Sequence, residues 1–149
     1  MNNDIKVDLY SSDFSSESNE VSYIDTVIKA GFPSPAQDYL SGTIDLNREL
    51  IRHKETTFLA RVSGNSLHDA GICDGDIIVI DKSLEAKNGD FVVAFVDGEF
   101  TLKEFRYDEV EKCAWLIPHN KDYEPIKVTE DNEFLVWGVL TYTIKQLRR

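Results

Sequence analysis

From residue 57 onward, apolar residues either alternate with polar ones or gather into short runs. The runs at 57–62, 76–80, 90–96, 99–105, 114–117, 126–128 and 134–144 fit β-strands, whose side chains point to opposite faces with a period of two. Asp74-Gly75, Asn88-Gly89 and Asp97-Gly98 punctuate them. Such pairs tolerate the positive φ of tight turns. Asp97-Gly98, between two β-rich runs, predicts a hairpin. Upstream, Asp45 is placed to cap a short helix over 46–52 by accepting a bond from an early backbone N–H. Many short strands joined by close turns, with one short helix, predict a mostly β body built as a barrel or as packed sheets. No internal repeat and no phosphate-cradling glycine-rich loop is visible.

The first thirty residues follow no such pattern. The stretch SSDFSSESNE (11–20) is serine-rich and acidic, and such a composition buries too little apolar surface to offset its ordering entropy. Residues 1–30 carry −4 of the net charge of −11. They read as a flexible arm whose more apolar end, VSYIDTVIKA (21–30), can dock on a folded body. The arm is too short for a helix-turn-helix domain, which needs about three packed helices. Pro33 and Pro35 then remove backbone donors and disfavour helix, so 31–40 is expected to be extended. An extended segment presents its carbonyls to a protease, whereas a helix hides them.

A chain of 149 residues suits one domain with a short extension. Its charge of −11 repels phosphate backbones, so direct DNA binding is not expected and any link to nucleic acid should run through a protein partner. Cys73 and Cys113 are too few for a disulfide framework and stand in no metal-ligand spacing, which points to two reduced thiols and no metal or other cofactor. The start, MNNDIKVDLYSSD, lacks a basic end and an apolar h-region, and the longest nearly apolar stretch, 134–144, is too short to span a bilayer. These features predict a cytoplasmic protein.

Two residues carry candidate chemistry. Ser66 lies in SGNS, a turn-like run after a predicted strand, where a hydroxyl is exposed beside backbone N–H groups. Taken alone, Ser, Gly and Asn are also ordinary turn formers. A serine nucleophile needs a base. His53, His68 and His119 stand in no motif that assigns one of them, although His68 is only two residues from Ser66. A lysine can serve if it is neutral. Lowering its pKa from ~10.4 to about 7.5 costs on the order of 4 kcal/mol, which burial must supply. Lys103, in GEFTLKEF on the return strand of the predicted hairpin, has apolar neighbours suited to this, while an ordinary edge lysine would fit the same pattern.

The segments AGFPSPAQDYL, IDLNRELI, VSGNSLHDAGICDGDIIVID, NGDFVVAFVDGEFTLK and LIPHNKDYEPI occur in that order. Together they closely resemble the LexA/UmuD family of self-cleaving serine peptidases, from about residue 28 to the C-terminus. The resemblance implies a LexA/signal-peptidase-like β-strand body. It implies Ser66 as nucleophile, in SGNSL where the family has a motif like SGDSM, and Lys103 as general base, in EFTLK where the family has one like EFTVK. It implies self-cleavage between Ala30 and Gly31, dividing the chain into an acidic arm (1–30) and a peptidase and dimerisation domain (31–149). The backbone N–H of Ser66 and a neighbour would form the oxyanion hole. The family's activator is the RecA filament on single-stranded DNA. The implied role is therefore in SOS mutagenesis, with a homodimer whose trimmed form joins the polymerase UmuC to make DNA polymerase V. No cofactor is implied.

Three positions depart from the pattern: Ala30 where some members have Cys, Leu67 for Met, and Asn65 for Asp. The first two conserve size class, and the third removes a negative charge beside Ser66. Other readings are a LexA-like repressor fragment, a signal peptidase, and a non-catalytic polymerase-binding subunit. The first should carry a basic DNA-binding domain and the second a membrane anchor. The third would not need Ser66, Lys103 and Ala30-Gly31 together.

Overall fold

The computed structural model describes residues 10–11, 20–23, 28, 30–31 and 42–148. The expected extended stretch 31–40 lies almost wholly outside these residues. In chain order the elements are β1 (Tyr10–Ser11), β2 (Glu20–Tyr23), β3 (Gly42–Asp45), α1 (Leu46–Leu50), β4 (Thr57–Arg61), a 3-10 turn (His68–Ala70), β5 (Ile77–Asp81), β6 (Phe91–Val96), β7 (Glu99–Asp108), β8 (Cys113–Ile117), β9 (Ile126–Val128) and β10 (Phe134–Ile144). The fold is mostly β, as the alternation predicts.

The chain divides into two compact units, one drawn from 13–52 and the other from 1–12 with 53–149. The boundary expected at 30/31 rests on the family resemblance and does not coincide with this division. In the first unit β2 pairs antiparallel with β3, from Glu20↔Asp45 to Tyr23↔Gly42. α1 follows at once, and the Asp45 carboxylate accepts from the Asn47 N–H as the sequence predicts. It ends two residues earlier than expected, with the Ile51 N–H on the Asn47 carbonyl and Ile51 itself extended.

The second unit is one antiparallel sheet of order β1-β4-β5-β10-β6-β7-β8-β9. The β6–β7 hairpin forms around Asp97 and Gly98, with φ of 48° and 90°. Two successive positive φ values match the right-handed twist of the flanking strands, and Asp-Gly is among the few pairs that accept them. The core has two parts. Ala60, Val62, Leu67, Ile72, Ile78, Ile80, Val93 and Leu102 form one. Val92, Ala94, Ala114, Leu116, Val128 and Val139 form the other. Val92 and Val93 fall in different parts because successive strand residues face opposite ways. The sheet therefore has apolar packing on both faces.

β10 runs between β5 and β6 and is irregular against both, between Val136 and Gly138 on the β6 side and between Leu140 and Tyr142 on the β5 side. Gly138 stands at the first of these. A Cβ there would lie 2.5 Å from Ile80 Cγ2, and Ile80 is fully buried. Gly138→Ala is expected to cost about 1–3 kcal/mol through overpacking, read as a lower midpoint in urea denaturation.

Candidate active site

Ser66 sits in the loop that leaves β4. The Val62 N–H donates to the Asp76 carbonyl, the Gly75 N–H donates to the Val62 carbonyl, and the Gly64 N–H donates to Asp74 Oδ1. The next residue, Leu67, is buried in the core beside Ile72 and closes the turn by accepting N–H bonds from Ala70 and Ile72. A core side chain thus anchors the loop immediately after the serine. A second anchor comes from the loop after β8. The His119 N–H donates to the Ser66 carbonyl at 2.7 Å, and Asn120 Nδ2 donates to the Asn65 carbonyl at 2.9 Å. His119 is held in turn, with Nε2 3.0 Å from Glu104 Oε2 and Phe91 packed edge-on against its ring. Arg106 donates to the other oxygen of Glu104.

Lys103 lies on β7 opposite Val92 of β6. Its side chain turns inward. Nζ is 3.0 Å from Ser66 Oγ, 2.8 Å from Thr101 Oγ1 and 3.2 Å from the Leu102 carbonyl oxygen. Ser66 Oγ also donates to the Leu102 carbonyl at 3.3 Å. Ser66 is 4% exposed and Lys103 is 3% exposed, so the contact is shielded from bulk water. The Tyr123 ring lies 5.9 Å from Nζ. Beside this pair is a cavity of roughly 200 Å³ whose lining includes Thr101, Lys103 and Tyr123.

The structure thus brings two of the sequence-selected residues into hydrogen-bond contact across 37 positions of chain. Ala30 and Gly31 belong to the other compact unit, where both are exposed and lie in a bend. Each of the three histidines pairs with a carboxylate: His53 with Asp81, exposed His68 with Asp69 and His119 with Glu104. Cys113 is buried, and that burial raises its thiol pKa and disfavours a thiolate.

Sequence reasoning missed Thr101. It sits two residues before Lys103 on one strand and therefore shares its face, a signal that alternation alone could have supplied. The Asn120 and His119 contacts to the serine loop have no local signal, because they join segments more than fifty residues apart.

Among the described residues, no helix is long and apolar enough to cross a membrane. Residues 22–141 match the family described as Peptidase S24-like. Protein MucA of Salmonella typhimurium is 39% identical over 141 residues, covering 94% of this chain and 94% of that protein. Protein SamA of the same species is 38% identical over 119 residues, covering 80% and 81%. The LexA repressor of Acidothermus cellulolyticus is 43% identical over 99 residues, covering 66% of this chain and 35% of that protein.

Proposed function

The chain belongs to the Peptidase S24-like family, and from that membership we propose that it is a self-cleaving serine peptidase that cuts its own Ala30–Gly31 bond with Ser66 as nucleophile and Lys103 as general base. The observation that carries this reading is the 3.0 Å contact between a buried lysine amine and a buried serine hydroxyl.

The chemistry needs the neutral amine. Taking an ammonium out of water is costly, so burial favours the uncharged form. A neutral amine has two N–H groups and one lone pair. Nζ lies within hydrogen-bond reach of Ser66 Oγ, Thr101 Oγ1 and the Leu102 carbonyl; with the N–H groups of the neutral amine donating to the last two, its lone pair can take the Ser66 proton once the hydroxyl turns from the Leu102 carbonyl toward Nζ. As Ser66 Oγ attacks the Ala30 carbonyl carbon, its proton passes to Lys103 Nζ. Backbone N–H groups at Ser66 and a neighbour stabilise the oxyanion. The C–N bond then breaks, and Lys103 returns the proton to the Gly31 nitrogen. Water, deprotonated by the same amine, hydrolyses the acyl-serine and frees the Ala30 carboxylate. Tethering the scissile bond to the enzyme raises its effective concentration, so modest groups suffice.

The reading extends to control. A protein that cut itself on folding could not carry a signal, so an activator must bind the cut-ready state better than the resting one. The RecA filament on single-stranded DNA is the proposed activator. A homodimer is the proposed assembly. The trimmed form, residues 31–149, is proposed to join UmuC as DNA polymerase V in SOS mutagenesis. The strongly acidic chain fits a route to DNA through proteins rather than by direct contact.

The test is incubation of the pure protein near pH 10, where more lysine is neutral, followed by intact-mass measurement. Fragments 1–30 and 31–149 are expected. A chain that stays whole under these conditions, or that is cut elsewhere, removes the assignment and leaves a binding role.

A further inference from the structure

Lys103 and Glu104 are consecutive on β7, so their side chains leave the strand on opposite sides. Both lead to Ser66. Lys103 reaches it directly, with Nζ 3.0 Å from the hydroxyl oxygen. Glu104 reaches it through His119, whose Nε2 lies 3.0 Å from Glu104 Oε2 and whose main-chain N–H donates to the Ser66 carbonyl at 2.7 Å. The His119 carbonyl accepts from the Asp69 N–H at 2.8 Å, so one residue grips the serine loop on both sides of its buried Leu67. Glu104 is itself buried, and Arg106 fixes its second oxygen at 3.1 Å. Phe91, opposite Glu104 on β6, packs edge-on against the imidazole. The ring is thus held by a carboxylate and an aromatic side chain, both carried by paired strands of the sheet.

We propose that Glu104 and His119 form a positioning pair for the self-cleavage reaction, fixing where Ser66 stands relative to the strand that carries Lys103. The inference rests on the self-cleavage reading and adds two residues to it, neither of which touches the reacting atoms. The direct contact between Ser66 and Lys103 cannot do this alone. It is lost when the hydroxyl proton moves to Nζ and the oxygen becomes an ester. The bond to the Ser66 carbonyl lies outside that chemistry and persists through both halves of the reaction. A buried carboxylate gains little net stability from its partners, because desolvation offsets the attraction. Its value here is geometric, since a reacting group misplaced by about 1 Å can lose about a hundredfold in rate.

Charge and position make opposite predictions. Removing a carboxylate beside Lys103 favours the neutral amine and on that ground alone speeds cutting. Loss of the positioning bond slows it. The experiment follows self-cleavage of the full chain by intact mass at about pH 9, where part of the lysine is neutral. Wild type, Glu104→Ala, Glu104→Gln, His119→Ala and the double variant Glu104→Ala/His119→Ala are compared well below their melting temperatures, which are measured in the Ser66→Ala background. Glu104→Ala and His119→Ala each slow cutting about tenfold. The double variant is no slower than either single one, because the two side chains act as one unit. Glu104→Gln keeps polar partners for Arg106 and His119 and retains most of the wild-type rate. His119→Ala truncates a partly exposed side chain and keeps the test open if Glu104→Ala does not fold. A lower melting temperature with an unchanged rate in the alanine variants makes the pair merely structural and overturns the inference, while the parent reading stands. Glu104→Gln as slow as Glu104→Ala also overturns it. A wild type that is not cut at Ala30–Gly31 overturns both.

Discussion

Ser66→Ala and Lys103→Ala each abolish the appearance of fragments 1–30 and 31–149, a loss of at least about a thousandfold in rate. The two losses should not add, because hydroxyl and amine act as one unit joined by the 3.0 Å contact. Lys103→Arg is equally inactive although it keeps a long basic side chain in place, since a guanidinium stays protonated and cannot accept a proton. Lys103→Met fills much of the same volume without a base and separates chemistry from packing. It is expected to keep a melting temperature near that of the wild type while cutting no faster than Lys103→Ala. The pH profile carries the sign. Cutting by the wild type rises with pH as the neutral fraction of the amine grows, and the Arg variant shows no such rise. Full activity in the Met variant would remove Lys103 from the mechanism.

The strands of the large sheet were legible because alternation and turn residues act locally. The runs at 126–128 and 134–144 coincide with β9 and β10, and the Asp97-Gly98 hairpin forms as the turn chemistry requires. Boundaries were less legible where a partner strand sets them. β7 continues to Asp108, past the apolar run that ends at 105, because Arg106 and Tyr107 pair with Trp115 and Ala114 of β8. The pairing supplies backbone hydrogen bonds regardless of side-chain polarity.

β1, β2 and β3 were not anticipated. Tyr10 and Ser11 pair with Leu59 and Phe58, and Glu20 to Tyr23 pair with residues 42–45. Val21 and Tyr23 remain exposed there, so the pairing rests on the backbone and leaves no apolar pattern to read. The sheet order was equally hidden. β10, last in the chain, lies between β5 and β6, and only the three-dimensional solution brings those strands together. The same holds for the candidate site. A turn serine and a strand lysine are each ordinary in isolation, and the family resemblance, not periodicity, selected them. Burial of both is a consequence of the sheet and could not be read from either segment alone.

The largest effect on stability is expected at Asp81, at the end of β5. Its carboxylate is buried and accepts from Thr56 Oγ1, the Ser83 N–H and Ser83 Oγ, and its Oδ2 lies 2.6 Å from His53 Nδ1. These bonds tie the segment before β4 and the turn after β5 to the end of β5, an inner strand of the sheet. Burial pushes the carboxyl pKa up, but the hydrogen bonds from His53, Ser83 and Thr56 outweigh it and bring it down to about 2. A lowered native pKa means that the unfolded chain takes up its proton first as pH falls. The stabilisation is therefore complete above the unfolded value of 3.8 and drains away as pH drops through about 2. The shift corresponds to on the order of 2 kcal/mol. Asp81→Ala also strands several donors, so its cost at neutral pH is expected to be about 3 kcal/mol. Urea titrations in the Ser66→Ala background, which cannot cut itself in the proposed mechanism, measure this without interference from cleavage. The stability gap between that background and the same chain carrying Asp81→Ala should be wide at neutral pH and narrow steadily below about pH 4. A gap that stays constant down to pH ~2 would mean that the carboxylate's charge plays no part and that only its packing matters.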